Sequence, residues 1–394
     1  TLDEFYKSMF KTKDARIEIV NFYLNYQPIS AELRNILTGA LDVLENIPKE
    51  GDQYILKLDD TKNISLDLSY EINELKKDLF FLDNSAESFY AHLSELHNNF
   101  NAQVNETTEK LRGIAFKNFI TDRDGTVNNY CGRYVSSIQS IYNAVFLTRF
   151  ANKDTINSII LTSAPLDNIG LADISVTQKN MFIYAGSKGR EYFDKQGARH
   201  CFPIEEKKQR KLTELNSKLS DLVKTPEYKM FSLIGSGLQF KFGQTTIARQ
   251  DITNSILAKD SNNFLELIER LVDKLDPQKE LFKIEDTGKD IEIILTIDSN
   301  DKNEQAKDFD KGDGINFLND SLNLKLKDGP NLICGDTSSD VPMVEASMAK
   351  TNNTNSVFVT TNDELKAKVS AACPNAMFVD TPDVLIAALN NLGK

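Results

Sequence analysis

At 394 residues the chain is longer than one ordinary hydrophobic core supports, and its length predicts two or three domains. Hydrophobic residues at 40% and charged residues at 26% describe a soluble globular profile, not a disordered or fibrous one. A net charge of −12 and a pI near 5.0 argue against nonspecific binding to nucleic acid or anionic membranes, and leave room for a local basic pocket that takes a small anion.

No apolar run is long enough to span a bilayer, and no signal-peptide pattern opens the sequence. The four cysteines (Cys131, Cys201, Cys334, Cys373) and three histidines (His92, His97, His200) fall at no zinc-ligand or CxxC spacing. Zinc and disulfide scaffolds are therefore set aside, and a reducing, cytoplasmic setting is expected.

Residues 1–112 carry helix-period patterning: Ile72, Leu75, Leu79 and Leu82 recur on one face, as do Phe89, Leu93, Leu96, Phe100 and Val104. Between the helices, "YILKLDDTKNISLDL" alternates apolar and polar residues around a polar turn and predicts a hairpin. With no cluster of catalytic residue types, this segment reads as a helical accessory domain that makes oligomer or partner contacts.

From residue 113 the texture changes to short apolar runs ending in polar turns: "IAFKNFIT", "SIILTS", "MFIYAG", "NLICGD", "SVFVTT" and "AMFVD", with helices such as "DELKAKVSAA" and "PDVLIAALNNL" between the later ones. Alternation of this kind predicts βαβ units, hence an α/β fold with a doubly wound parallel sheet and helices on both faces. Ligands of such sheets bind beyond the carboxyl ends of the strands, where Asp122, Thr162 and Asp336 fall. Residues 200–305 interrupt the alternation. A charged helix, short strands in "FSLIGSGLQFKFGQTTIARQ", a second helix and the strands "LFKIEDTG" and "DIEIILTID" predict an inserted α+β unit that caps the carboxyl edge. "DSNDKNEQAKDFDKGDG" is a polar connector back to the sheet. The expected domains are 1–112, a core of 113–199 with 306–394, and a cap of 200–305.

Two acidic turns carry the chemistry. In "TDRDGT", Asp122 and Asp124 lie two positions apart at a strand end, an unfavourable juxtaposition unless a cation sits between them. A calcium-binding EF-hand loop would need Gly at its sixth position and an acid at its twelfth, where Val127 and Arg133 stand. In "CGDTSSDVPM", Asp336 and Asp340 follow another apolar run. Carboxylates converging from both turns make an oxygen site suited to Mg²⁺. Between them in chain order come the hydroxyls Thr162 and Ser163 of "SIILTSAP" and Lys311 of "DFDKGDGINFL".

That order, DxDGT, strand-[ST], Lys, GDxxxD, resembles the haloacid dehalogenase superfamily over residues 113–394. The resemblance implies Asp122 as nucleophile and Asp124 as general acid and base, with Thr162 or Ser163 (Thr162 favoured) and Lys311 on the phosphate. It also implies Mg²⁺ held by Asp122, the main-chain carbonyl of Asp124 and Asp336, supported by Asp340. The 200–305 insertion looks like that family's C2-type cap. "YAGSKGREY" is similar to the AGxHG stretch of trehalose-6-phosphate phosphatases, with Lys188 where a His is usual. Gly186, Ser187, Lys188, Arg190 and cap Arg249 are accordingly the candidate contacts to substrate. The expected activity is Mg²⁺-dependent hydrolysis of a small sugar phosphate, trehalose 6-phosphate above all. A sucrose- or glycosylglycerate-phosphate phosphatase and a phosphosugar mutase are the alternatives among enzymes. A non-catalytic regulatory subunit is the alternative outside them, and the presence of both Asp122 and Asp124 argues against it.

Overall fold

The computed structural model describes residues 1–57, 63–152, 156–251, 254–297 and 308–394. The turn of the expected hairpin and residues 298–307 of the polar connector lie outside the described residues. Helix α1 (Leu2–Leu24) starts in a capping box formed by Thr1 and Glu4, and α2 (Ala31–Glu45) starts where the Ser30 side chain accepts from the Leu33 N–H. Strands β1 (Lys49–Glu50), β2 (Gln53–Lys57) and β3 (Asn63–Leu66) pair antiparallel in that order, so the alternating segment forms the expected hairpin. Helices α3 (Ser69–Asp83), α4 (Ala86–Leu96) and α5 (Phe100–Leu111) follow. The second apolar series is thus two helices and not one continuous face. The chain breaks at His97–Asn99, where Asn99 takes a φ of +56°, and Leu96 is left 52% exposed.

The central sheet uses β4 (Asn118–Thr121), β5 (Asn157–Leu161), β6 (Ile183–Gly186), β7 (Glu191–Phe193) and β8 (Arg199–Cys201), with α6 (Ile141–Ala151) and the short α7 (Leu171–Ile174) between them. The inserted cap contributes α8 (Glu206–Leu222), β9 (Leu238–Lys241), β10 (Gln244–Ala248), α9 (Ala258–Leu275), β11 (Phe282–Asp286) and β12 (Asp290–Leu295). The chain then returns through α10 (Lys311–Leu322), β13 (Asn331–Gly335), α11 (Val341–Met348), β14 (Thr354–Val359), α12 (Asp363–Ala372), β15 (Ala376–Val379) and α13 (Pro382–Gly393).

The sheet order is β15-β14-β13-β4-β5-β6-β7-β8. Its first six strands are parallel and correspond to the six apolar runs; β7 and β8 add an antiparallel edge too short to leave a periodic signal. Both faces of the parallel strands are covered, which is why they read as continuous apolar runs. Register places the chemistry: Thr121 pairs with Cys334 on one side and Ile160 on the other, so the residues that follow these three strands emerge side by side.

In the cap the strands run β11-β12-β10-β9, all antiparallel. Alternation gives the cap sheet two unlike faces. Thr246 pairs with both Gln239 and Glu292, and Gln244 pairs with Lys241, which sets these polar side chains on one face. The opposite face carries Ile247, Ile291 and Ile293, buried in one core with Leu212, Leu215 and Leu219 of α8 and Phe264, Ile268 and Val272 of α9.

The N-terminal helices lie against α6 and α13, closing an aromatic cluster in which Phe81 meets Phe146 edge-on at 5.8 Å and Phe89 lies 5.1 Å from Tyr142. Such pairs add about 0.5–1.5 kcal/mol each beyond the area they bury. No helix among the described residues is long and apolar enough to cross a membrane.

Candidate active site

Asp122 follows β4 directly, and its N–H donates to the Cys334 carbonyl at 3.0 Å, which ties it to the end of β13. Lys311 is the first residue of α10, whose start is fixed by a capping box between Asp310 and Asp313. The positive end of that helix faces the carboxylates, adding to the lysine charge. The Lys311 amine contacts Asp122 Oδ1 and donates to Asp340 Oδ1 at 2.5 Å, all three side chains being buried. Asp340 spends its other oxygen on the N–H groups of Asp336 (3.0 Å) and Thr337 (2.9 Å) and the Thr337 hydroxyl (3.1 Å). It is fully occupied as an anchor for Lys311 and for the turn that carries Asp336.

Asp122, Asp336 and Asp340 each present one carboxylate oxygen within 4.8 Å of the others. The Thr126 hydroxyl lies 3.3 Å from Asp122 Oδ2 and 3.0 Å from Asp336 Oδ1. Close approach requires glycine beside them: Gly125 has a φ of +86°, and a Cβ there would stand 2.2 Å from Asp336 Oδ2.

Burial pushes Asp122 up to about 7, with Lys311 opposing and Asp340 adding to the rise. Burial, then Asp122 and Asp340, push Asp336 up to about 9. For Asp340 the Lys311 charge and its hydrogen bonds outweigh burial and hold it below the ordinary range. Three carboxylates thus share one lysine, and ionising all three leaves a surplus of negative charge whose cost falls on Asp122 and Asp336. An all-oxygen donor set with that surplus fits a hard divalent cation.

The Asp124 carboxylate lies outside this group. Its Oδ1 contacts the buried Arg123 guanidinium and accepts from Ser137 Oγ at 3.0 Å, which leaves Oδ2 for the cleft. Asp124, Thr162, Ser163 and Lys311 all line one cleft with Asp122 and Asp336, and the polar cap face supplies Gln239, Lys241, Thr246 and Glu292 opposite them. Thr162 follows β5 directly and is buried, whereas Ser163 is half-buried.

The candidate substrate contacts are not among the residues that line this cleft. Gly186 packs so closely on 164–166 that a Cβ would meet the Leu166 nitrogen at 2.6 Å. Ser187 Oγ donates to Glu191 at 2.7 Å and accepts from the Phe242 N–H at 2.9 Å. Arg190 is buried, donates to the Gly243 and Leu295 carbonyls at 2.5 and 2.7 Å, and lies over the Phe309 ring. Ser187, through the Phe242 N–H, and Arg190, through both terminal amines, therefore join core to cap. Arg249 pairs with Asp286 at 3.2 Å, away from the cleft. Lys188 reaches it indirectly, its amine lying 3.5 Å from Oε2 of the cleft residue Glu292. Lys241 and Lys188 hold Glu292 below the usual carboxylate range although burial opposes them. Sequence reading passed over Thr126, Arg123 and the cap face. Thr126 and Arg123 stand inside the DRDGT motif itself, and the cap residues were signalled only by the two-residue alternation of β9, β10 and β12.

A cleft at the carboxyl edge of such a sheet, under an inserted α+β lid, is the arrangement expected of a capped α/β hydrolytic core, as the haloacid dehalogenase resemblance implies. Comparison with known families narrows it. The model described as "Trehalose-6-phosphate phosphatase, C-terminal" matches residues 119–385, and that for the "Trehalose-6-phosphate phosphatase N-terminal helical bundle domain" matches residues 1–100. The chain belongs to the trehalose-6-phosphate phosphatase family. It is 32% identical over 414 residues to alpha,alpha-trehalose-phosphate synthase (UDP-forming) 2 of Caenorhabditis elegans, covering 99% of this chain and 33% of that protein. To the trehalose-phosphatase of Brugia malayi it is 28% identical over 429 residues, covering 100% of this chain and 86% of that one. The chain thus spans about a third of the length of the synthases it matches. Among solved structures, the C-terminal domain of Candida albicans trehalose-6-phosphate phosphatase is similar with a TM-score of 0.47 and 15% identity, covering 75% of this chain and 96% of that chain.

Proposed function

We propose that the chain is a Mg²⁺-dependent phosphomonoester hydrolase that releases trehalose from trehalose 6-phosphate through an aspartyl-phosphate on Asp122. The observation that carries this reading is the convergence of Asp122, Lys311 and Asp336 under a polar cap face. Family membership and the name of the Brugia malayi relative support the substrate.

Asp122 attacks phosphorus while Asp124, through Oδ2, gives its proton to the departing sugar oxygen. Asp124 then takes a proton from water, which attacks the phosphorus of the aspartyl-phosphate and frees Asp122. Lys311 and Thr162 hold the phosphoryl oxygens, since a phosphate dianion approaches a carboxylate only against screened charge. Asp122, Asp336 and the Asp124 main chain would hold Mg²⁺, which would supply further charge neutralisation at the phosphoryl group. The cap excludes bulk water and offers Gln239, Lys241, Thr246 and Glu292 to sugar hydroxyls, with Lys188 of the core beside Glu292.

Phosphate release over a panel of sugar phosphates, with Mg²⁺ and with chelator, tests this. The expected result is turnover of trehalose 6-phosphate at least about tenfold above sucrose 6-phosphate and glycosylglycerate phosphate, a difference of about 1.4 kcal/mol in transition-state binding, abolished by chelation. Equal, feeble turnover of every member would remove the trehalose assignment.

A further inference from the structure

The first turn of α3 belongs to the N-terminal domain, yet two of its residues reach into the core beside the cleft. Tyr70 and Glu71 are both buried. The Tyr70 hydroxyl donates to the Ile138 carbonyl at 2.8 Å and accepts from Asn128 Nδ2 at 3.0 Å. Glu71 Oε1 accepts from Ser136 Oγ at 2.5 Å and from the Cys131 thiol at 3.7 Å. Both residues therefore grip one loop, 128–138: Tyr70 at its two ends, Glu71 at Cys131 and Ser136 between them.

That loop is what holds Asp124. Ser137 Oγ donates to Asp124 Oδ1, accepts from Arg123 Nη1 at 2.9 Å, and lies 3.5 Å from Asn128 Nδ2. The Ser137 carbonyl takes the second Arg123 amine at 2.5 Å, and the Asn128 carbonyl takes the Gly125 N–H at 2.8 Å. Every hydrogen bond from a neighbouring residue to the Asp124 carboxylate thus comes from Arg123 or Ser137, among the described residues. Both are set by a loop whose outer side is bonded to α3.

We propose that Tyr70 and Glu71 are positioning residues of the reaction, so that the N-terminal domain completes the active centre by fixing the aim of Asp124. The inference rests on the reading of Asp124 as proton donor. The same bonds would also serve simple docking of two domains, and the leaving group separates the two roles. A sugar alkoxide is strongly basic and departs only with a proton, whereas 4-nitrophenolate departs without one. The ratio kcat/KM covers steps only as far as departure of the leaving group, so it reports proton donation and not the later hydrolysis. A misaimed acid therefore lowers kcat/KM for the sugar phosphate and spares it for the aryl phosphate.

The test compares kcat/KM of the full chain on trehalose 6-phosphate and on 4-nitrophenyl phosphate in Tyr70→Phe, Glu71→Ala, Ser137→Ala and Asp124→Asn. Asp124→Asn should lose about 10²–10⁴-fold on the sugar phosphate. Tyr70→Phe, which keeps the ring and removes only the hydroxyl, should lose about 10- to 100-fold there, as a small misplacement does, and at most about threefold on the aryl phosphate, a factor near thermal energy. Glu71→Ala tests the same grip should Tyr70→Phe fail to fold, and Ser137→Ala tests the last link within the core. Equal losses on both substrates, or no loss on either, would overturn the positioning role while leaving the phosphatase reading intact. A folded wild-type chain inert towards both substrates would overturn that reading and this inference with it.

Discussion

Asp122 meets two opposing demands. As the proposed nucleophile it must be ionised, but burial pushes its pKa up to about 7, and Asp340 adds to the rise. Lys311 counters both, and a divalent cation between Asp122 and Asp336 would complete the compensation. Gly125 keeps the two motifs close enough for this, because no side chain fits between its Cα and Asp336. Gly125→Ala is expected to displace Asp336 and raise the Mg²⁺ concentration for half-maximal turnover about 10- to 100-fold, the usual cost of disturbing a ligand's surroundings. A Mg²⁺ titration of phosphate release reads this, and an unchanged midpoint would count against Asp336 as a ligand. At this scale the sequence carried most of the site, since Asp122, Asp124, Thr162, Lys311, Asp336 and Asp340 each stand at the end of an apolar run or the start of a helix. For Arg190 and Ser187 no local pattern in the sequence reveals that cap carbonyls and a cap amide engage them.

Among elements, the parallel strands were legible because burial on both faces turns each into a short apolar run between polar turns. Helix α6 was not: the sheet covers one side and the N-terminal helices the other, so ten of its eleven residues are buried and the amphipathic period vanishes. The joint between core and cap escaped notice for a related reason, since β7 and β8 are three residues each and draw their meaning from what Arg190 reaches. Arg190→Ala strands two cap carbonyls, those of Gly243 and Leu295, at about 1–3 kcal/mol each where they stay dry. Its urea-unfolding free energy should fall by about 2 kcal/mol or more, and a change below about 0.5 kcal/mol, the size of an ordinary surface substitution, would show that the joint lies elsewhere.

For the whole molecule, the decisive feature is that the N-terminal domain is welded to the core through charge as well as apolar surface. Asp383, at the start of α13, accepts from Lys77 (3.1 Å), Tyr142 (2.6 Å) and Asn129 (2.9 Å), and its other close partner is His97 (2.7 Å). Burial would raise its pKa, but Lys77 together with His97 and Tyr142 holds it far below the carboxylate range. The stability it contributes is therefore complete above the unfolded-state value of about 3.9 and is lost as pH falls from there towards the depressed folded value. Asp383→Asn should cost on the order of 3 kcal/mol at pH 7 by leaving Lys77 and His97 short of a buried partner. The gap to wild type should narrow below about pH 4, and a gap constant from pH 7 to 3 in urea unfolding would contradict the pairing. Sequence reading separated this domain as an accessory because its side of the bargain is dispersed: Tyr70, Glu71, Glu74, Lys77 and His97 look like ordinary helix polar residues until the core supplies their partners.

Every other proposed role presupposes that Asp122 takes the phosphoryl group, and one measurement addresses that directly. Rapid acid quenching of the full chain during turnover of trehalose 6-phosphate carrying a labelled phosphoryl group, followed by peptide mapping, should place an acid-stable, hydroxylamine-labile label on the peptide containing Asp122, with none in Asp122→Asn. Sustained phosphate release by Asp122→Asn at the wild-type rate, with the enzyme unlabelled throughout turnover, would contradict it.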